Sequence, residues 1–210
     1  MPQSAAVSVR REERVVRSLL LLLMSAELLG GVTHAGSLAP PRFHIVPPES
    51  RVWFDADAPL HSFRGQTQDL SGAFTLQQTS PPRISEATVT INAASLKTGN
   101  SERDADMHRD FLEVARFPTI ELQVGGVQAA PSAAGEASWS VVLHAQLTVH
   151  GTTRGVQVPA TVDLAAGRIT ARGQIHLDMR DFNIRVPRIL WIPMQSEVLV
   201  GFDVVARPAR

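Results

Sequence analysis

Cysteine is missing from all 210 residues of the sequence. A chain without a thiol forms no disulfide, uses no thiolate as a nucleophile or a metal ligand, and cannot be anchored through a lipidated cysteine. If the protein works outside the cytoplasm, its stability therefore has to come from a hydrophobic core and from hydrogen bonds.

Net charge is the second feature that the sequence lacks. Its 20 lysine and arginine residues balance its 20 aspartate and glutamate residues, and aromatic residues make up only 5% of the chain. A neutral chain presents no basic field for nucleic acid and no acidic tail for a basic partner, so no nucleic-acid partner is expected. Phosphate loops, dinucleotide fingerprints and zinc-protease motifs are absent from the sequence too.

The first 35 residues have the organisation of an export signal. Four arginines precede the mostly apolar segment 18–30, and Thr33 and Ala35 place small residues at the −3 and −1 positions of a signal-peptidase site. Glu27 interrupts the apolar segment, which is also too short to span about 30 Å of hydrocarbon comfortably. We expect cleavage after Ala35, a periplasmic location and no stable membrane anchor after cleavage. Retention of the segment as an anchor is the alternative.

From Arg51 onward, apolar residues recur at every second position in eight segments that are separated by turn-forming residues. These segments are Val52–Ala58, Gly72–Leu76, Ala87–Ile91, Ile120–Val124, Trp139–Val149, Val156–Leu164, Ile169–Leu177 and Val198–Val204. Such alternation is typical of half-buried antiparallel strands, with one face inward and one in water. The pattern predicts an all-β fold, either a closed barrel or a two-sheet sandwich.

Many positions on the apolar face of these strands are small. They are Ala56, Ala58, Gly72, Ala87, Ala145, Ala160, Ala171 and Gly173. An eight-stranded barrel is either filled by its side chains or able to hold one small ligand, and small inward residues leave volume. The pattern favours a cavity, although alternating large and small residues also fit a filled barrel.

The charged segment between residues 96 and 122 interrupts the strand pattern. Met107, Phe111 and Val114 recur at i, i+4 and i+7, with Leu112 beside them, which predicts an amphipathic helix. We interpret its charged residues as a solvated face and its apolar face as a lid. Two further hypotheses, an acid–base pair and a metal site, would use Asp104, Asp106, His108 and Asp110. Neither has the spacing of a known motif, so no catalytic residue and no metal are expected here.

The same segment carries a resemblance. LKTGNSERDADMHRDFLEVARFPTIEL (residues 96–122) resembles the signature of the YceI-like family, exported bacterial proteins often called polyisoprenoid-binding. Residues 59–76 and the hairpin around His150 and Gly151 resemble flanking segments of that family. The resemblance implies a lipocalin-like, eight-stranded antiparallel β-barrel with a short helix near the barrel mouth. It also implies an elongated apolar cavity for an isoprenoid or a similar lipid chain.

Two positions depart from the family pattern. Asn183 stands where the family often has glycine after Asp-Phe, and residues 185–193 replace a shorter hairpin by a longer one bounded by proline.

The chain is expected to divide into a signal peptide at residues 1–35, an N-terminal extension at 36–50, a lipid-binding barrel at 51–206 and a C-terminal tail at 207–210.

The leading hypothesis is a non-catalytic periplasmic protein that sequesters or carries a polyisoprenoid or a similar long apolar lipid. The expected ligand-binding residues are Phe54, Phe74, Leu76, Val89, Ile91, Met107, Phe111, Leu112, Ile120, Leu122, Leu143, Leu147 and Phe202. The bound group would be a polyisoprenoid or an isoprenoid quinone, with no other cofactor, and a homodimer stays open. The alternatives are an enzyme acting on a lipid-like or small ester substrate, motivated by His61 and Ser62, and a structural barrel with a filled interior.

Overall fold

The computed structural model describes residues 39–58, 61–131, 137–165, 167–189 and 191–209. The predicted export signal, with its cut after Ala35, lies outside these ranges and stays a prediction. Across the described part of the chain, no helix is both long enough and apolar enough to span a membrane.

The described chain consists mainly of β-strands. They are β1 (Arg42–Ile45), β2 (Arg51–Asp57), β3 (Ser62–Thr67), β4 (Leu70–Thr79), β5 (Pro82–Asn92), β6 (Thr119–Pro131), β7 (Ser138–Val149), β8 (Thr152–Ala165), β9 (Arg168–Asp178), β10 (Arg188–Ile189), β11 (Ile192–Pro193) and β12 (Glu197–Pro208). One short helix, α1 (Ser101–Asp106), continues into a π-helical turn (Met107–Phe111). Short 3-10 turns occupy Pro47–Glu49, Ala93–Ser95 and Met179–Phe182.

Ten of these strands form one antiparallel sheet that closes on itself. Its order is β1-β4-β5-β6-β7-β8-β9-β12-β2-β3, and β1 also pairs with β12. Strands β1 and β2 together line one side of β12, and β3 and β4 continue each other across Gln68 and Asp69. The ring therefore counts eight strands, which confirms the predicted all-β, eight-stranded antiparallel barrel with a short helix and decides against the sandwich.

The connections of the barrel differ between its two ends. The β2–β3, β5–β6, β7–β8 and β9–β12 connections share one end, and they include α1 and the β10–β11 hairpin. The β4–β5, β6–β7 and β8–β9 connections lie at the other end, together with the start of β1 and the end of β12. We call the end that carries α1 the mouth and the other one the closed end.

One strand of the barrel was missed by the sequence pattern. Arg42–Ile45, which the sequence analysis placed in an N-terminal extension, pairs with both β4 and β12. Phe43 and Ile45 are buried, and the Phe43 ring stacks on Phe74 at a centroid distance of 5.5 Å. Four residues with two apolar positions are too few for alternation to indicate a strand, so the barrel begins at Arg42 and not at residue 51.

Ser50 joins the first strands to the last one. Its side chain is buried, with only 1% of the residue exposed. The hydroxyl donates to the carbonyl of Val46 at 2.8 Å and accepts from the N–H of Val205 at 3.0 Å. Because Ser50 and Val205 are 155 residues apart in the chain, this contact ties the break between β1 and β2 to β12.

Replacing Ser50 should therefore destabilise the barrel. Ser50→Ala leaves the buried N–H of Val205 without its side-chain acceptor, which costs about 1–3 kcal/mol of unfolding free energy. Urea unfolding of the variant measures this cost, with Ser140→Ala on the exposed face of β7 as the matched control. A Ser50→Ala variant as stable as Ser140→Ala would contradict this role.

Candidate functional site

The interior of the barrel holds an apolar cavity of about 880 Å³. Inward side chains of all eight barrel strands form its wall, among them Val89, Leu122, Leu143 and Val200. The volume that the small inward residues predicted is present. The structural-barrel alternative requires an interior filled by side chains, and the side chains do not fill it.

A packed cluster seals the closed end of the cavity. Phe43, Leu76, Ile169 and Ala206 are buried against each other, with Phe74 packed on them. All five lie near the strand ends that are farthest from the mouth. A ligand that enters at the mouth therefore meets an apolar floor.

The residues predicted to bind the ligand all lie on this cavity. Those on strands are Phe54, Phe74, Leu76, Val89, Ile91, Ile120, Leu122, Leu143, Leu147 and Phe202, and those at the mouth are Met107, Phe111 and Leu112. Period-two alternation brought the strand residues to one face, and closure of the sheet brought that face inward. Their contact with a ligand stays a prediction.

Sequence reasoning missed part of the lining. A bulge between Val124 and Gly126 shifts the register of β6 against β7, so Val127 faces the cavity although it breaks the earlier alternation. The β9–β12 connection adds Phe182, Ile184, Met179, Pro187 and Met194. The sequence feature at the bulge is the Gly125-Gly126 pair, and adjacent glycines are equally typical of a turn.

Within the described residues, the charged, amide and imidazole side chains that reach the cavity lie at its mouth. We call them the mouth ring, and within the described residues they are His61, Asn100, Glu102, Arg103, Asp106, Asp178 and Arg188. They belong to the β2–β3 and β5–β6 connections, the end of β9 and the β9–β12 connection. The site therefore has an apolar wall and floor below a ring that carries both signs of charge.

Asn100 and Gly99 start the helix at the mouth. Gly99 adopts a φ of 81°, which favours glycine, and the Asn100 side chain caps α1 by accepting from the N–H of Arg103 at 2.9 Å. The Arg103 guanidinium lies 4.1 Å from the ring centre of Phe63, which fastens the helix to β3.

Asp104 is the central acceptor of this segment. The residue is 7% exposed, and its Oδ1 accepts from the N–H and the Oγ1 of Thr98, both at 2.7 Å. Arg103 donates through Nε to Thr98 Oγ1 at 2.9 Å. Burial acts to raise the pKa of Asp104, but the two bonds from Thr98, helped by Lys97 and His108, outweigh it and lower the pKa below its ordinary value.

The π-helical turn that follows α1 brings the residues of the predicted lid to the cavity. The N–H of Leu112 donates to the carbonyl of Met107 at 2.8 Å, which widens the turn, and Met107, Phe111 and Leu112 line the cavity. The predicted helical face extended to Val114, but the π-helical turn ends at Phe111. Glu113 there adopts a φ of 44° and turns the chain.

His150 holds the end of the lid segment. We call the pair of His150 and Glu113 the latch. The Nε2 atom of His150 lies 3.2 Å from the Oε1 atom of Glu113. The Nδ1 of His150 lies 3.3 Å from the carbonyl of Phe182, and its side chain is only 11% exposed. The alternation along β7 would turn His150 toward water, but a φ of 50° takes the residue out of the strand. Arg116 first, and then His150, lower the pKa of Glu113.

Two residues organise the β9–β12 connection. Asn183 has a φ of 57°, in the left-handed region that favours glycine and that asparagine also adopts. Asp178 accepts from the N–H of Arg180 at 2.9 Å and from the Ser196 hydroxyl at 3.0 Å, so it joins both ends of the connection. The Arg180 side chain, followed by that N–H, lowers the pKa of Asp178.

The charged residues of the lid are engaged with each other. Arg109 bonds Asp106 and Asp110, both at 2.7 Å, and these two carboxylates face solvent. The arginine holds the pKa of Asp110 below its ordinary value. Over the described ranges, no three histidine, aspartate or glutamate side chains lie together as a set that could hold a metal ion.

Ser62 is hydrogen-bonded to Asp57 and not to His61. The Ser62 hydroxyl donates to Oδ1 of Asp57 across the β2–β3 hairpin at 2.6 Å, and no hydrogen bond between His61 and Ser62 is present in the described structure. A serine nucleophile needs a base that a third group orients. The arrangement is that of an exposed hairpin contact.

The fold and the site define the class of this protein: a closed eight-stranded antiparallel barrel with an apolar cavity below a polar mouth. The chain belongs to the family of the YceI-like domain, which matches residues 43–206. This confirms the resemblance seen in the sequence. No curated protein matches the chain.

Solved structures share the fold. BcnA from Burkholderia cenocepacia is 20% identical, with a TM-score of 0.62, and the match covers 77% of this chain and 98% of that one. A polyisoprenoid binding domain from Saccharophagus degradans, implicated in plant cell wall breakdown, is 18% identical, with a TM-score of 0.60 and coverages of 80% and 98%. The YCEI protein of Campylobacter jejuni is 16% identical, with a TM-score of 0.53 and coverages of 70% and 84%. At these identities the similarity concerns the fold.

The contact of Asp104 with Thr98 predicts a pH dependence of stability. The pKa of Asp104 is lower in the folded state than in the unfolded state. The carboxylate therefore contributes to the free energy of unfolding above its ordinary pKa of 3.8, and this contribution is lost as the pH falls through the folded pKa. Asp104→Ala should cost about 1–3 kcal/mol of unfolding free energy at neutral pH. The difference from the unmodified protein should shrink below pH 4, roughly the ordinary pKa of aspartate.

Denaturant unfolding at a series of pH values measures both effects. Asp181→Ala, at an exposed position of the same end of the barrel, is the control and should stay close to the unmodified protein throughout. A cost for Asp104→Ala that is the same at neutral and acid pH would show that the carboxylate charge is not involved.

Proposed function

We propose that this protein is a non-catalytic carrier that shelters a polyisoprenoid, or a similar long apolar lipid such as an isoprenoid quinone, inside its barrel. The observation that carries the proposal is the cavity of about 880 Å³ with its apolar wall and floor. The family match and the similarity to a polyisoprenoid binding domain support it. The periplasm, reached by export and cleavage after Ala35, is the proposed location.

The physical basis of binding is the burial of apolar area. Moving apolar surface out of water contributes about 25 cal/mol per Å², so a long tail binds without any polar contact along its length. The cavity volume lies within the range of roughly 300–1,000 Å³ that is usual for small-molecule sites. Occupation also restores dispersion contacts that the lining residues otherwise lack.

The distribution of polar groups orients the ligand. An apolar tail finds its surroundings between the floor at Phe74 and the lid at Phe111, while a polar headgroup finds hydrogen-bond partners only in the mouth ring. We therefore propose that the tail enters first and that the headgroup stays at the mouth. Such a site selects ligands by the shape and length of the tail more than by the headgroup.

A residue that occupies the cavity should compete with the ligand. Leu143→Trp adds volume inside the barrel, and the displacement of two or three methylene groups should weaken binding roughly tenfold or more, at about 0.8 kcal/mol each. The void accommodates the indole, so the thermal midpoint should be unchanged or raised. Titration with a fluorescent polyprenol analogue and a thermal melt measure the two effects.

The neighbouring residue supplies the control for this experiment. Val142→Trp places the same indole on the outer face of the same strand, where the alternation of β7 points it away from the cavity. It should bind the analogue like the unmodified protein. Equal affinities for the two variants, or a protein that binds no polyprenol at all, would contradict the proposed function.

The lid is tested by a charge on its apolar face. Phe111→Asp puts a carboxylate in the path of the tail, which should weaken polyprenol binding roughly tenfold while the barrel still unfolds cooperatively, because Phe111 sits at the rim and is only half-buried. Ala105→Asp places the same charge on the exposed side of α1 and should bind normally. Normal binding by Phe111→Asp would show that the segment is not a lid.

A further inference from the structure

The β10–β11 hairpin carries the most exposed apolar side chains of the described structure. Trp191 is 76% exposed and Ile192 is 47% exposed, whereas large apolar residues elsewhere in the described ranges are at least partly buried. An exposed indole beside an exposed branched chain is costly in water, and such patches mark surfaces that bind a partner or a membrane.

The geometry fixes where this patch points. Ile189 pairs with Ile192 and Arg188 with Pro193, and the N–H of Met194 continues the ladder to the carbonyl of Pro187 at 2.9 Å. Pro187, Arg188 and Met194 line the cavity. The base of the hairpin is thus part of the cavity mouth, while Trp191 and Ile192 face outward.

The charge beside the patch points to the chemistry of its partner. Arg188 is exposed, and within the described residues its guanidinium forms no ion pair with a carboxylate. An exposed indole with a guanidinium on the same hairpin is a combination that anchors proteins at bilayer interfaces. The ring sits at headgroup depth, and the cation reaches the lipid phosphates.

We propose that the β10–β11 hairpin docks this protein on a lipid bilayer. The side chains of Trp191 and Ile192 insert between the headgroups, and Arg188 binds their phosphates. Docking in this orientation brings the mouth of the cavity to the membrane surface, so that a lipid could pass between bilayer and barrel without crossing water. The docking itself depends only on the hairpin, and the transfer of lipid rests in addition on the proposed function.

Flotation with vesicles tests the docking. Delipidated protein is mixed with vesicles of phosphatidylcholine and phosphatidylglycerol, and the bound fraction is measured. The unmodified protein should float with the vesicles, and Trp191→Ser should bind roughly tenfold less, because the burial of a large aromatic side chain is lost. Arg188→Ser should bind roughly fivefold less to these vesicles and lose little on phosphatidylcholine alone. Arg83→Ser, on an exposed position near the closed end, is the matched control and should bind normally.

Tryptophan fluorescence gives an independent measurement. The chain has three tryptophans, and Trp139 and Trp53 are buried or partly buried in the barrel. Addition of vesicles should shift the emission to the blue through Trp191. Trp191→Phe should keep an apolar ring for binding but lose the shift.

Failure of the docking and failure of the proposed function can be told apart. Leu143→Trp, which narrows the cavity, should still float like the unmodified protein. The proposal is overturned if the unmodified protein does not bind vesicles, or if Trp191→Ser floats equally well. It is also overturned if the hairpin variants change only the oligomeric state in sedimentation, which would identify a second copy of the chain as the partner.

Discussion

Close packing is the constraint that this barrel does not satisfy with its own side chains. Protein interiors are ordinarily as dense as organic crystals, and a void forfeits the dispersion contacts of its lining. Here eight rows of inward residues leave about 880 Å³, and within the described residues the wall between floor and mouth consists of apolar side chains and the Trp53 indole, which offer few partners that would hold water in place. In the proposed function a long apolar ligand supplies the missing contacts, and the residues that would bind its tail are the same ones that build the barrel.

The polar contacts at the mouth hold its irregular segments in place. Asp104 gathers Thr98 and the start of α1 into one hydrogen-bonded unit, and the latch of His150 and Glu113 fixes where the lid segment ends. Asp178 does the same for the connection that carries the β10–β11 hairpin. At the closed end, the packed cluster around Phe43 is accompanied by ion pairs of Glu49 with Arg168 and Arg207. The apolar floor and the polar mouth thus lie at opposite ends of the barrel axis.

Period-two alternation was sufficient to predict an all-β fold and the strand residues that line the cavity, because alternation is a local property that closure of the sheet preserves. It left the barrel and the sandwich open, and only the family resemblance implied the eight-stranded barrel. It failed where contacts are distant or the backbone departs from a strand. The partner of Ser50 is 155 residues away, the bulge near Gly126 reverses the parity of β6, and a positive φ turns His150 inward. None of these features leaves a periodic signal in the sequence.

Native mass spectrometry of the protein, purified without detergent from its own host cells, tests the central claim most directly. The account predicts a species heavier than the polypeptide by one apolar lipid per chain, which organic extraction releases and which has the mass of a polyisoprenoid or an isoprenoid quinone. A polypeptide mass with nothing bound, unchanged after incubation with both of these lipids, would contradict it.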